Sequence, residues 1–195
     1  MTATGINRGM HAMSDAYLVR ATAAGMRDAF DELTVRYVPF VSRCAYRILC
    51  DRKGSDEVTE KVFLRLWLHA SEYDESLNVC QWICRIVCGF CVGRLRRLHF
   101  LEAFSVRTPV YELSAPQASD SGEGYIVKES WDIFCRASRN LTPMQRVVFV
   151  LTELEGMEEK DVAVILGISC ARVRKSKSVA EAEIRSELEL YGEVR

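Results

Sequence analysis

The chain lacks a long apolar run, and it holds few prolines and histidines, four and three in 195 residues. No stretch approaches the roughly 20 apolar residues of a transmembrane helix. The N-terminus also lacks the charged start and apolar core of a secretory signal. These absences predict a cytoplasmic protein without direct membrane insertion.

The chain also lacks an excess of charge, because 26 basic and 27 acidic residues leave a formal net charge of -1. A generally basic nucleic-acid coat protein is therefore excluded, and any contact with nucleic acid must come from local patches. Two stretches contain no acidic residue at all, from Ser76 to Leu101 and between Asp161 and Glu181. Each carries four basic residues close together.

Residue constellations typical of enzymes are missing too. The sequence contains no glycine-rich phosphate loop, no metal-ligand cluster with proper spacing and no nucleophile with an adjacent base. The three histidines, His11, His69 and His99, are scattered. We therefore expect no catalytic residues, no metal site, no cofactor and no small-molecule substrate.

Cysteine is comparatively abundant, with eight residues in a chain without a secretion signal. Such cysteines are typical of free thiols in a reducing compartment. Cys80, Cys84, Cys88 and Cys91 would form one stripe on a helix, but the four span about 16 Å, too far for one tetrahedral ion. Buried structural thiols are the favoured interpretation, and a metal- or redox-responsive stripe is the alternative.

Hydrophobic periodicity is helical throughout, so the sequence predicts an all-α protein. One helix is expected before Pro39 and a second after it, followed by a turn from Cys50 to Gly54 and a helix capped by Ser55. The next helix is expected from Cys80 to about His99. Its two interior glycines, Gly89 and Gly93, predict a kinked or less ordered segment.

Composition divides the chain into two small helical domains joined by a flexible linker. Residues 101–128 hold two prolines, two glycines and a Ser-Asp-Ser stretch without apolar periodicity. The predicted organisation is a disordered N-terminus at 1–15, with Met10 and Met13 as alternative starts, a first domain at 16–100, the linker, and a second domain at 129–195.

The last quarter of the chain has the pattern of a helix-turn-helix. Thr142, Pro143 and Gln145 form a capping box with proline at the first helical position. Gly156 is placed to end the helix that Thr142 begins, and Gly167 is placed to end a second, short helix. Ser169 can cap a third. That third helix is basic at its start, so the pattern favours insertion into a DNA major groove over a merely solvated face.

Two sequence motifs then resemble one family. The segment with LTPMQRVVF, ELEG and VAVILGIS is similar to region 4 of the sigma-70 family, most closely the small extracytoplasmic-function (ECF) sigma factors. The segment from SDEVTEKVFLRLW to GRLRR resembles region 2, in the family's order. The resemblance implies a region 2 bundle and a region 4 helix-turn-helix, and an alternative sigma factor that recognises minus-thirty-five and minus-ten promoter elements.

The resemblance also implies partners: core RNA polymerase, promoter DNA and an anti-sigma factor. The helix after Ser55 would face the polymerase, with the candidates Asp56, Glu57, Glu60, Phe63, Leu66 and Trp67. Periodicity places the three apolar residues in the core of any bundle, so the acids are the better candidates.

Minus-ten recognition would fall on the next helix and the loop before it. The candidates are Asn78, Trp82, Arg85, Arg94, Arg96 and Arg97. The arginines can neutralise phosphates, and Trp82 or Phe90 could stack on an unpaired base.

Minus-thirty-five recognition would fall on the basic helix. The candidates are Ser169, Ala171, Arg172, Arg174, Lys175 and Lys177, with Arg172 as the expected base reader. Lys177 departs from the family, because an apolar residue is expected there; it must snorkel from the core edge or rotate the helix.

Two alternatives remain open. Gly89, Gly93 and Lys177 favour a degenerate sigma-like or anti-sigma regulator that binds polymerase without melting promoters. An ordinary helix-turn-helix repressor would leave the VFLRLW segment unexplained.

Overall fold

The computed structural model describes the backbone of residues 10–104 and 122–193, and the side chains of 10–101 and 130–191. Over these ranges the fold is all-α, as expected, without a strand. Its helices are α1 (Asp15–Ala23), α2 (Arg27–Leu49), α3 (Arg52–His69), α4 (Val79–Phe104), α5 (Gly122–Ala137), α6 (Pro143–Phe149), α7 (Glu159–Leu166) and α8 (Cys170–Glu193). None of them is both long and apolar enough to cross a bilayer.

Residues 10–15 are tied to the fold, although the sequence predicted disorder for the whole of 1–15. Ser14 accepts a hydrogen bond from the backbone of Tyr17 and caps α1. Arg36 of α2 reaches back to Asp15 at 2.6 Å and to the carbonyl oxygens of Met10 and Met13. Residues 1–9 lie outside the described part of the chain.

Pro39 lies inside one continuous helix, α2, so the expected break there is wrong. Proline removes one backbone hydrogen bond and costs about 3 kcal/mol in a helix interior. Leu33 before it and Val41 and Ile48 after it are nevertheless buried on the same face. Burying several such side chains, at about 1.5–3 kcal/mol each, outweighs that cost.

The turn between α2 and α3 is shorter than predicted. Cys50 adopts a left-handed conformation (φ 50°) and ends α2, and α3 already begins at Arg52. Ser55 is therefore not the cap. It is buried inside α3, where its hydroxyl donates to the carbonyl oxygen of Arg52 at 2.7 Å.

Helix α4 runs without interruption through Gly89 and Gly93, so the two glycines do not break it. Both glycines are exposed. Its end at Phe104, together with the start of α5 at Gly122, also shortens the predicted linker of 101–128. Residues 105–121 are not among those described.

The second half of the chain confirms the predicted helix ends. Thr142 and Gln145 form the capping box, and a π-helical turn at Val150–Leu154 extends α6. Gly156 and Gly167 both have positive φ, 68° and 64°, which L-residues rarely adopt. Each therefore ends a helical segment.

The two halves pack directly against each other and share one hydrophobic core. Tyr46 of α2 stacks on Trp131 of α5 with ring centroids 5.2 Å apart. Trp131 contacts Phe134, which in turn stacks on Phe149 of α6. An aromatic chain thus connects the first helices of the protein to the centre of the second half.

The glycines of α4 generate a stability prediction. A Cβ atom at Gly89 or Gly93 would meet no atom within 4 Å. Because alanine is the better helix former, Gly89→Ala and Gly93→Ala should each raise the free energy of unfolding by about 1 kcal/mol. In thermal unfolding, this is an increase in Tm of about 2–4 °C.

Gly54→Ala is the matched control in α3. A Cβ there would overlap the Asp51 carboxylate and lie 2.6 Å from Nε of Arg94. This variant should lower Tm. A lower Tm for the two α4 variants would show that the glycines are needed for folding.

Candidate nucleic-acid interface

A tight turn positions the basic helix α8 behind α7. The backbone N–H of Gly167 donates to Val164, and that of Ile168 donates to Ala163 at 3.1 Å, the pattern of a Schellman motif. Ser169 then caps α8 by accepting a hydrogen bond from the backbone of Arg172 at 3.3 Å. The two helices therefore meet at a fixed angle.

Packing fixes which face of α8 points outwards. Val173 and Ala180 are fully buried. Arg172, Arg174 and Lys175 are exposed, and none of the three forms an ion pair with a described side chain. Ser169 and Ala171 are exposed beside them. The positive end of the helix dipole adds to these cations, so the N-terminal end of α8 presents a positively charged surface.

Lys177 differs from its predicted neighbours. Its Nζ lies 2.7 Å from Glu153 in the π turn and 3.7 Å from Glu181. The hydrogen bond to Glu153 raises the pKa of Lys177. This lysine snorkels from the edge of the core, one of the two predicted outcomes, and its charge is engaged within the protein.

The four arginines of α4 have different environments. Arg96 and Arg97 are exposed, and neither forms an ion pair with any described side chain. Arg94 is held at 3.0 Å from Asp51 and 2.7 Å from Glu57. Arg85 donates to the carbonyl oxygens of Val164 and Ile165, at 2.7 and 3.0 Å, at the C-terminal end of α7.

Two other minus-ten candidates have structural contacts. Trp82 is 7% exposed and packs edge-on against Tyr73, so its ring offers no open stacking face. Oδ1 of Asn78 accepts a hydrogen bond from the backbone N–H of Gln81 at 2.8 Å, and the backbone N–H of Asn78 donates to Oε1 of Gln81 at 3.2 Å. Asn78 therefore caps α4 and is itself exposed to solvent.

The polymerase-facing candidates on α3 differ in how deeply they are buried. Phe63 and Leu66 are in the core, as periodicity indicated. Trp67 is 37% exposed and its ring contacts Phe30 edge-on. The polar candidates, Asp56, Glu57 and Glu60, lie towards the surface, although Glu57 is paired with Arg94.

Sequence reasoning missed two residues on this face of α3. Leu64 and Leu68 are 58% and 61% exposed, one turn apart and beside Trp67. Neither leucine is among the polymerase-facing candidates of the sequence analysis. Their exposure beside a partly exposed tryptophan is the signal of a contact surface.

Comparison with known proteins identifies the family. Family models described as Sigma-70 region 2 and Sigma-70, region 4 match residues 33–100 and 135–182. The ECF RNA polymerase sigma factor SigM of Mycobacterium tuberculosis (strain ATCC 25618 / H37Rv) is 30% identical over 173 residues, which cover 85% of this chain and 84% of SigM. The chain belongs to the ECF sigma factors of the sigma-70 family.

Two solved structures share the fold. One is CnrH in complex with the cytosolic domain of CnrY, with a TM-score of 0.61 and 22% identity over 90% of this chain and 97% of that one; CnrH is from Cupriavidus metallidurans. The other is RpoE in complex with the anti-sigma factor NepR from Bartonella quintana, with a TM-score of 0.64 and 14% identity over 82% and 96%.

In this sigma factor, a buried carboxylate joins region 2 to region 4. The Glu155 side chain is 4% exposed and accepts from Arg43 at 3.0 Å and Arg47 at 2.9 Å. Arg47 also donates to the carbonyl oxygen of Leu154. Together with the Arg85 contact to α7, these bonds hold the two regions in a closed arrangement.

This contact generates a prediction. Glu155→Gln keeps the side-chain shape but removes the charge that two arginines share, so the closed arrangement should weaken. The radius of gyration, about 16 Å for a compact chain of this length, should increase in small-angle scattering. Amide exchange along Val164 and Ile165 should accelerate.

Glu153→Gln is the control, because Glu153 pairs with Lys177 inside region 4. It should leave the scattering curve unchanged. A Glu155→Gln variant as compact as the wild type would show that the apolar contacts and the arginine bonds to backbone carbonyls maintain the closed arrangement without the Glu155 charge.

Proposed function

We propose that this sigma factor binds core RNA polymerase and directs initiation at promoters with minus-thirty-five and minus-ten elements. The observation that carries the proposal is the exposed, unpaired basic end of α8 on a helix-turn-helix, preceded in the same chain by the region 2 match at residues 33–100. A transcription-regulating role then places the protein in the cytoplasm, where the polymerase acts.

We infer that region 4 contacts the minus-thirty-five element with the first two turns of α8. Arg172 reads a base, since a guanidinium matches guanine with two hydrogen bonds. Arg174 and Lys175 contact phosphates, and Ser169 and Ala171 lie at the edge of the groove. Lys177 remains paired with Glu153.

Minus-ten contact in region 2 falls on the exposed face of α4. Arg96 and Arg97 are accessible to phosphates in the closed arrangement, and Arg85 becomes accessible when α7 withdraws. Arg94 instead supports the fold through Asp51 and Glu57. Because Trp82 is buried, half-buried Phe90 is the better stacking candidate on this helix.

The polymerase-facing surface combines acids and apolar side chains on α3. Asp56 and Glu60 supply exposed carboxylates, while Trp67, Leu64 and Leu68 supply apolar contact area. An apolar centre flanked by polar residues is the usual composition of a protein interface.

An anti-sigma factor is the proposed inhibitory partner. CnrH and RpoE were each solved with a bound protein, CnrY and the anti-sigma factor NepR. Both complexes involve relatives with the same fold, which supports an equivalent partner for this chain.

The function is tested by run-off transcription of fragmented genomic DNA with core polymerase, with and without this protein. We expect new RNA 5′ ends that share an upstream two-part motif, and permanganate-reactive thymines near each start. Binding to core polymerase without new starts would instead identify the degenerate regulator.

Substitutions in α8 test the division of labour. Arg172→Ala and Arg174→Ala should weaken binding to minus-thirty-five DNA, while affinity for core polymerase stays unchanged. Because Arg174 is proposed to contact a phosphate, Arg174→Ala should also make the negative slope of log K for DNA binding against log salt concentration shallower by about 0.9. Binding titrations at several salt concentrations measure both effects.

Lys177→Ala is the matched control, because this lysine is already paired with Glu153. It should leave the salt slope unchanged. Equal loss of DNA and polymerase binding in the Arg172 and Arg174 variants would contradict a separate DNA-reading surface.

A further inference from the structure

The contact between regions 2 and 4 brings two thiols together. Cys50 ends α2 in region 2, and Cys135 lies in α5 on the other side of the contact, three residues before Ser138; each thiol shifts the pKa of the other. They are 7% and 2% exposed. The Ser138 hydroxyl lies 3.9 Å from Sγ of Cys50 and donates to the carbonyl oxygen of Cys135 at 2.9 Å.

A buried cation lies against this pair. Arg146 of α6 is 6% exposed, its Nε has no hydrogen-bond partner, and it forms no ion pair with a described side chain. A buried guanidinium without an anion is costly. The charge of Arg146 lowers the pKa of the Cys50 thiol, so a thiolate at Cys50 would supply the missing negative charge.

The same contacts assign different roles to the two thiols. Burial alone would raise the pKa of Cys50, but hydrogen bonds with Cys135 and the nearby Arg146 charge lower it below its ordinary value. The hydrogen bond to Cys50, together with burial, raises the pKa of Cys135. Cys50 is therefore the nucleophile, since the thiolate is the reactive form.

The other thiols lack these features. Cys84 and Cys88 of the α4 stripe lie 4.0 Å apart, and both belong to region 2. The hydrogen bond with Cys84 and burial raise the pKa of Cys44, and burial raises that of Cys91. No group of three or more metal-ligating side chains occurs among the described residues. Of the stripe that the sequence singled out, Cys84, Cys88 and Cys91 are buried in the core and Cys80 is half-buried.

We propose that Cys50 and Cys135 form an intramolecular disulfide under peroxide, which covalently joins region 2 to region 4. The Cys50 thiolate attacks one oxygen of hydrogen peroxide and breaks the O–O bond. This gives a sulfenic acid and a hydroxide that takes up the Cys50 proton as water. The Cys135 sulfur then attacks the sulfenic sulfur, and its proton leaves with the expelled hydroxide as a second water.

The consequence rests on the proposed function. The two promoter elements lie about 25 base pairs apart, which is about 85 Å at roughly 3.4 Å per pair. A compact chain with a radius of gyration of about 16 Å cannot contact both. A disulfide across the closed arrangement therefore blocks initiation until it is reduced.

The site is tested on the full chain carrying Cys170→Ser, which removes the exposed thiol that could link two molecules. The protein is treated with hydrogen peroxide, alkylated and mapped by mass spectrometry without reduction. We expect one linked peptide pair containing Cys50 and Cys135, which dithiothreitol separates. Cys84→Ser should retain the link, and Cys50→Ser and Cys135→Ser should lose it.

A disulfide between other cysteines, or Cys50 and Cys135 still open to alkylation after oxidation, would overturn the proposal. Run-off transcription tests the consequence separately. Oxidised protein should lose the transcript and regain it with dithiothreitol, while oxidised Cys135→Ser should keep it. Unchanged transcription by linked protein would overturn the block on initiation; reduced protein that starts no transcript would refute the proposed function and leave the mapping result standing.

Discussion

The closed arrangement of this sigma factor depends on one buried carboxylate, Glu155. Its side chain lies in region 4 but its charge is balanced by Arg43 and Arg47 of region 2. A buried acid that loses its partners costs about 3–5 kcal/mol, whereas the two arginines are partly exposed and can return to water. The contact is thus asymmetric: within the closed arrangement Glu155 depends on its arginine partners, whereas the arginines do not depend on Glu155.

Beside this ion pair, the interface between regions 2 and 4 includes Arg85, a residue that is also proposed to contact DNA. Arg85 is a minus-ten candidate, and in the closed arrangement it caps the carbonyl oxygens at the end of α7. The helix dipole makes that end negative, so it substitutes for a phosphate. Under the proposed minus-ten contact, DNA and region 4 would compete for the same guanidinium, which would couple the closed arrangement to promoter binding.

The sequence predicted local features better than tertiary ones. Thr142, Gly167 and Ser169 were correctly placed, because caps and left-handed turns depend on a few adjacent residues. Pro39 misled the prediction because core burial on both sides outweighs one lost hydrogen bond. The pairing of Cys50 with Cys135 could not be predicted, since it depends on how two halves pack across 85 positions of chain. Exposure of Leu64 and Leu68 was hidden for the same reason.

The charge distribution along α8 explains how a chain with a net charge of -1 can be specific for DNA. Val173 and Ala180 set the rotation of the helix, and that rotation directs Lys177 towards Glu153 rather than outwards. Acids follow at Glu181 and Glu183. The cluster of exposed cations Arg172, Arg174 and Lys175 therefore lies in the first two turns, where the dipole is also positive, and Arg185 follows alone beyond the acids. In the proposed DNA contact, that N-terminal end is the part of α8 that enters the groove.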